Sequence, residues 1–473
     1  MTTGSTRTER DSMGEFEVPA TAYYGANTMR AKVNFPISDL RLPRGFIRAI
    51  GLIKQQSAMV NRELGLLDEN LAGAIIRAAQ DVIDGTLDDE FIVDVFQTGS
   101  GTSTNMNANE VVANRAIELL GGERGSRTPV HPNDHVNLGQ SSNDVIPTAI
   151  QLAAAVAIHD EVIPALGVLE TSLRAKSKEF WPVVKTGRTH LQDATPIRLG
   201  QEFLGYAGQM ERARLRCEEA IATLAELPLG GTAVGTGVGT HPEFPAKVIG
   251  LIAADLGIPF RETGNHFSGQ STLDAVVAAS GALRAVAVSM YKVANDLRLL
   301  GFGPRAGIAE IAIPVVQPGS SIMPGKVNPV ICESVTMVAA KVIGNDATVA
   351  FCAAAGSLLE LNVMMPVAAY DLLQSAALLA TSARNLATQC VDGITATENG
   401  PAMVERGLML CTALAPVIGY DAAAAIAKEA YNTGRTVREV ARERSGLSED
   451  DLTRLLDAEA MTHPGRDSGP AGG

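Results

Sequence analysis

Along much of this chain, apolar residues recur at steps of three and four over stretches longer than an ordinary globular helix. In the clearest stretch, Leu273, Val276, Ser280, Leu283, Val286, Met290, Val293, Leu297 and Leu300 follow one another at near-heptad spacing, which keeps one stripe turned toward a neighbouring helix. The pattern predicts long helices at about 147–180, 198–227, 271–301, 333–359 and 365–393. Helices of that length belong to a bundle. Their broad faces, rich in small residues, predict burial between subunits as well as within one. From Leu42 to about Gly122, shorter helical patterns alternate with turns. Gly122 to Asn143 crowds Pro, Asn, Asp and Gly together and reads as the end of a first domain. After Gly393 the helices shorten, and the charged segment Thr436 to Leu456 reads as a small surface domain. The first 15 or so residues and the tail from His463 to Gly473 read as loose.

A chain of 473 residues is long for one compact unit. We therefore expect a mainly all-α fold in three parts: an N-terminal helical domain over 1–139, a central long-helix bundle over 140–396 and a small C-terminal helical domain over 397–473. Composition agrees, with 46% hydrophobic, 19% charged and only 4% aromatic residues. That mixture supports a large core of closely packed helices rather than a β-sandwich.

The formal net charge of −13 makes nucleic acid and anionic membrane poor partners. It also means that a site for an anionic substrate must supply its own cations. Five scattered cysteines (Cys217, Cys332, Cys352, Cys390, Cys411) form no C-x-x-C pair and read as buried thiols in a reducing compartment. No apolar leader marks export, and charges interrupt the Ala/Val-rich runs, so no membrane span is expected. The expectation is a cytoplasmic protein.

One loop concentrates the chemistry. Gly319 to Pro329 reads G-S-S-I-M-P-G-K-V-N-P. Gly319 and Gly325 permit backbone angles closed to other residues, Pro324 stiffens the loop, and N–H groups after Ser320 and Ser321 can converge on an anion. Asn328-Pro329 reads as an N-cap and the first residue of a helix. Val327 follows Lys326 where a P-loop requires Ser or Thr, so the expected ligand is a carboxylate or carbanion and not a nucleotide.

Three further polar islands lie in loops or at helix starts: Thr98 to Asn105; His131-Pro132-Asn133-Asp134 continuing to Gln140–Asp144; and Gly187 to Asp193. Singly, such residues cap helices and form turns. Together with the loop and Glu333 they supply neutral donors, one Lys, one His and one acid, a set suited to a dicarboxylate. His131 and His135 stand four apart, but Pro132 argues against a helix there and hence against a metal site. The run Gly230–Gly239 lacks a surrounding βαβ pattern and reads as a flexible loop, not a dinucleotide site.

These islands, with F-Q-T-G-S-G-T (96–102), N-M-N-A-N-E-V (105–111), H-P-N-D-H-V-N (131–137), Q-S-S-N-D (140–144), G-R-T-H-L-Q-D-A (187–194) and G-G-T-A-V-G-T-G (230–237), resemble the signatures of the fumarase/aspartase superfamily. They stand in that family's order, and the resemblance covers about residues 10–462. It implies three mostly helical domains, a homotetramer on a core of long helices, active sites assembled from three subunits, and neither metal nor organic cofactor. The implied reaction is reversible anti elimination from a substituted succinate to give fumarate. By the same analogy Ser320 is the base, Lys326 and Asn328 hold the carboxylate that accepts charge, and Ser100, Thr102, Ser141, Ser142, Asn143, Thr189 and Ser321 bind the other substrate oxygens. His190 with Glu333 handles the leaving group's proton. His131, Asn133 and Asp134 match a second, peripheral dicarboxylate site.

His190, Ser142 and Pro324-Gly325-Lys326 resemble the class II hydratase branch, which makes malate from fumarate. Asn295–Leu300, Leu361–Pro366 and Thr433–Val440 lean toward the ammonia-lyase branch, which stays as the alternative, and an inactive crystallin-like homologue as a third reading. Phe302, Gly239 and Phe267-Ser268-Gly269 depart from both patterns.

Overall fold

A computed structural model describes residues 5–464. Within them the long helices run Ser142–Ala157 continuing through a π turn into Ile163–Glu179, then Leu199–Leu224, Asp274–Leu300, Val330–Gly356 and Met365–Gln389. All nine stripe positions from Leu273 to Leu300 are buried, Leu283, Val286, Val293 and Leu297 completely. Each of the apolar side chains among them contributes about 1.5–3 kcal/mol by leaving water. Among the described residues, strands are short and pair only in twos.

The chain divides into two compact units, each assembled from separated segments. The first comprises Met1–Pro164, Arg214–Ala287 and Ala339–Ala380; the second comprises Ala165–Ala213, Val288–Val338 and Thr381–Gly473. In the first, Arg44–Glu63 packs on Glu69–Ile83, Ser142–Ala157 and Phe244–Leu256, burying Phe46, Ile50, Ile53 and Val60. In the second, Thr395–Ala396 pairs with Ile311–Ala312. There Leu410, Leu414, Ile426, Val440, Leu452 and Leu456 close a core of short helices, which includes Val437–Arg444, started by a Thr436–Glu439 capping box.

Several expectations need correction. Residues 6–19 are not loose: Thr6–Asp11 pairs with Gly14–Pro19 as an antiparallel hairpin. Arg7 fixes it, donating to the carbonyls of Pro19, Ala20, Ala22 and Tyr24 and pairing with Glu9 at 2.6 Å. The hairpin is held by a charged side chain, so it carries no apolar signal. Of the tail from His463, the part beyond residue 464 lies outside the described residues. Ser142–Glu179, Asp274–Leu300 and Val330–Gly356 are long and apolar enough, by length and composition, to cross a membrane; the interrupting charges leave apolar windows wide enough.

The glycine run also differs from expectation. Glu226–Leu227 and Arg261–Glu262 pair in parallel around the helix Phe244–Leu256, a minimal βαβ unit whose two-residue strands leave no sequence pattern. The run is pinned rather than flexible. Asp144 Oδ2 accepts from Gly230 N at 2.9 Å and Thr232 N at 3.0 Å, so a protein carboxylate occupies the donors a pyrophosphate would need. Gly239 sits at φ +81°, a left-handed angle that Gly and Asn share, which explains that departure.

Candidate active site

The loop at Gly319 is built to serve one oxygen. Ser320 Oγ accepts the N–H of Met323 at 2.9 Å and of Ile322 at 3.2 Å. The converging backbone donors thus address the serine's own oxygen, not an external anion. Gly325 takes φ +79°, a true left-handed turn. Gly319 is required for a different reason: a Cβ there would lie 2.5 Å from Lys326 O, where Gly319 N donates to that carbonyl at 2.8 Å. Asn328 is not a side-chain cap; its Nδ2 closes the loop onto Gly319 O at 2.6 Å, and the helix begins at Val330. Ser320, Asn328 and Glu333 are half-buried, while Ser321 and Lys326 are exposed.

Thr189 and His190 sit at the end of a hairpin, Val184–Thr189 against Gln192–Arg198, in which Thr189 pairs with Gln192. The two residues between the strands, His190 and Leu191, have φ of 56° and 59°. A two-residue turn with both angles positive ordinarily carries Asn-Gly. Beneath it, Lys185 and Arg188 reach the buried carboxylate of Glu310 at 3.1 and 2.8 Å, and Lys185 also pairs with Glu202 at 2.8 Å. Phe302 lines, with Leu191, Leu299 and Ile308, a cavity of about 420 Å3 in which Lys185, Arg188 and Glu202 also take part. Among the described residues, no hydrogen bond or ion pair joins His190 to Glu333 within the chain.

In the first unit, Ser100 Oγ and Thr102 Oγ1 lie 2.9 Å apart at the start of Thr102–Leu119. Ser141 caps Ser142–Ala157 in a capping box with Asp144. Asn143 donates to Ala233 O at 2.8 Å, and Asn105 Nδ2 reaches Ser142 Oγ at 3.1 Å. The structure therefore brings Thr98–Asn105 and Gln140–Asp144 together. Burial pushes the Asp144 carboxyl up, opposed by the N–H groups of Ser141, Thr232 and Gly230 and by Lys54.

His131 departs from the expectation of no helix: Pro132–Val136 forms one π turn, which His131 Nδ1 caps by accepting from Asn133 N and Asp134 N. Asp134 Oδ2 stands 3.2 Å from the same nitrogen. Burial holds the His131 imidazole below its usual range, and Asp134 acts in the opposite sense. Asn133 and Asp134 are exposed.

The residue that the sequence did not flag is Lys54. It is fully buried on Arg44–Glu63, and its flanking pattern is that of a core helix. Its Nζ donates to Asn105 Oδ1, Asn137 Oδ1 and Gln140 Oε1, each at 2.9 Å. An unexplained charged residue inside an apolar helical stretch was the available signal.

A family described as Lyase matches residues 14–344, and one described as Fumarase C C-terminus matches 410–463. The chain is 51% identical to fumarate hydratase class II 2 of Bradyrhizobium diazoefficiens and 55% identical to fumarate hydratase class II of Halobacterium salinarum, each match covering 98% of both chains. Among solved structures, the class II fumarase of Schistosoma mansoni matches with a TM-score of 0.95 at 38% identity, over 97% of this chain and 100% of that one. A fumarate lyase:delta crystallin from Brucella melitensis, bound to cobalt, matches with a TM-score of 0.93 at 48% identity and the same coverage.

Proposed function

We propose, from the premise that this chain belongs to the class II fumarate hydratases, a route by which its residues catalyse the reversible hydration of fumarate to malate. The protein is a hydro-lyase. In the elimination direction Ser320 Oγ, as alkoxide, takes the proton next to a carboxylate, and the electron pair moves into that carboxylate to give an aci-carboxylate. Lys326 and Asn328 hold the oxygens on which this charge develops. The pair then returns to form the double bond as the C–O bond breaks, and the departing hydroxide takes a proton from His190, oriented by Glu333, and leaves as water. Ser100, Thr102, Ser141, Ser142, Asn143, Thr189 and Ser321 bind the remaining oxygens.

The observation that carries the role of Ser320 is its pair of backbone donors. A free hydroxyl is too weak a base, and N–H groups aimed at Oγ favour the charged form. The exposure of Thr189, His190 and Lys326 in a single chain, and the missing His190–Glu333 contact, support sites completed by other subunits of a homotetramer. Apolar side chains left open on the long helices support the same assembly, with Met337 67% and Phe351 64% exposed. His131, Asn133 and Asp134 form a peripheral dicarboxylate site in this reading, and the enzyme works in the cytoplasm. The test is fumarate absorbance followed with and without ammonia. Consumption without ammonia, yielding malate, supports this route; consumption only with ammonia sinks it in favour of the ammonia-lyase reading, and none at all in favour of an inert homologue.

A further inference from the structure

We propose that Lys54, which touches no substrate in the reading above, is a positioning residue that sets the hydrogen-bond polarity of the Ser142 hydroxyl. This rests on Ser142 as a ligand of a substrate carboxylate.

An ammonium has three donors and no acceptor, and Lys54 spends its three on amide oxygens from three places in the chain, Asn105, Asn137 and Gln140. Each amide must therefore turn its oxygen inward and its NH2 outward. The outward groups are all received: Asn137 Nδ2 by Gln140 O at 3.1 Å, and Gln140 Nε2 by Val136 O at 3.2 Å. Asn105 Nδ2 is received by Asn137 Oδ1 at 3.2 Å and by Ser142 Oγ at 3.1 Å. Ser142 Oγ is thereby fixed as an acceptor on its protein side. Among the described residues no group takes its proton, which is left for a carboxylate oxygen. A buried cation whose three hydrogen bonds all go to neutral amides is costly, so a core role would be better met by an apolar residue.

Burial pushes the Lys54 ammonium down to about 7, and the Asp144 carboxylate acts in the opposite sense. Asp144, from Ser142–Ala157, is the charged group facing Lys54 from the packed elements. A neutral amine has two donors and a lone pair, so one amide must then turn its NH2 inward. Where that amide is Asn105, Ser142 loses its fixed donor.

The test is steady-state kinetics on the intact enzyme with three variants, Lys54→Met, Asn105→Asp and Ser142→Ala, and with fumarate as the probe. Lys54→Met should raise KM about tenfold with kcat changed by less than about threefold, the worth of one hydrogen bond to a charged group. The rise should shrink below about twofold in the Ser142→Ala background. The KM of the natural protein should climb as pH rises through about 7, and that climb should vanish in Lys54→Met. If Ser142→Ala raises KM while Lys54→Met leaves it unchanged, the role of Lys54 is overturned and that of Ser142 stands. If Ser142→Ala leaves KM unchanged, both fall. Asn105→Asp keeps an oxygen toward Lys54 and removes the donor to Ser142 together with the one to Asn137, so it answers the question should Lys54→Met not fold: a KM rise that shrinks below about twofold in the Ser142→Ala background supports the proposal, and an unchanged KM, or a rise that persists in that background, overturns it.

Discussion

Ser320 Oγ and the backbone N–H of Met323 lie 2.9 Å apart, inside a turn closed by Gly319 N on Lys326 O. The loop is thus preorganised around the serine oxygen before any ligand arrives. Ser320→Ala should lower kcat by about 10^3-fold or more while leaving KM within a few-fold, since the base acts on the bond-breaking step and not on ground-state binding. Circular dichroism should be unchanged. Full activity in this variant would overturn the assignment while leaving the fold standing.

His190 and Leu191 together occupy a turn that neither residue type favours. Two non-glycine residues at φ above 50° cost about 1 kcal/mol or more each, and such strain at a surface hairpin points to function. His190→Asn should therefore cut turnover by about 10^2–10^4-fold, the usual worth of acid–base catalysis, with the melting midpoint unchanged or raised. A fall in both together would mean that His190 serves the hairpin rather than the reaction.

Much of this molecule is legible in its sequence because helix faces and turn chemistry are local. The Leu273 to Leu300 stripe is buried position for position, and Gly325 takes the angle its turn demands. What stays illegible is long-range or carried by single charges. Lys54 meets Gln140 from 86 residues away, and Arg7 folds residues 6–19 by reaching four carbonyls. Asn328 shows the limit of motif reading: Asn before Pro suits a cap, yet the nearby Gly319 carbonyl takes its amide instead.

Acid should weaken the first unit through Glu118. Burial raises its carboxyl, but hydrogen bonds from Tyr23, Arg124 and Arg115 more than reverse this and bring it down to about 2. Because the folded value lies below the unfolded one, the stabilisation is fully present above about pH 4.5 and is lost as pH falls toward 2. The side chain is 32% accessible, so solvent screening leaves about 1–2 kcal/mol. Glu118→Gln should lower the denaturant midpoint at pH 7 and flatten its fall between pH 5 and about 2. Parallel acid curves for both proteins would refute this.

Glu310 should prove more costly to lose than any surface pair. Its carboxylate and the Lys185 ammonium are each only 1% accessible and stand 3.1 Å apart, with Arg188 at 2.8 Å. Glu310→Ala leaves Lys185 with Glu202 alone, and removing one partner of a buried pair costs about 3–5 kcal/mol. The denaturant midpoint, read at fixed protein concentration because subunit association contributes, should fall accordingly. The double variant Lys185→Met with Glu310→Leu should recover part of that loss, since the charges then left, Arg188 and Glu202, are of opposite sign and line the same cavity. If the pair serves only to hold the hairpin together, the double variant also recovers turnover. If it sets where Thr189 and His190 stand, stability returns but kcat stays depressed. Equal midpoints for the single and double variants would refute the buried-charge account altogether.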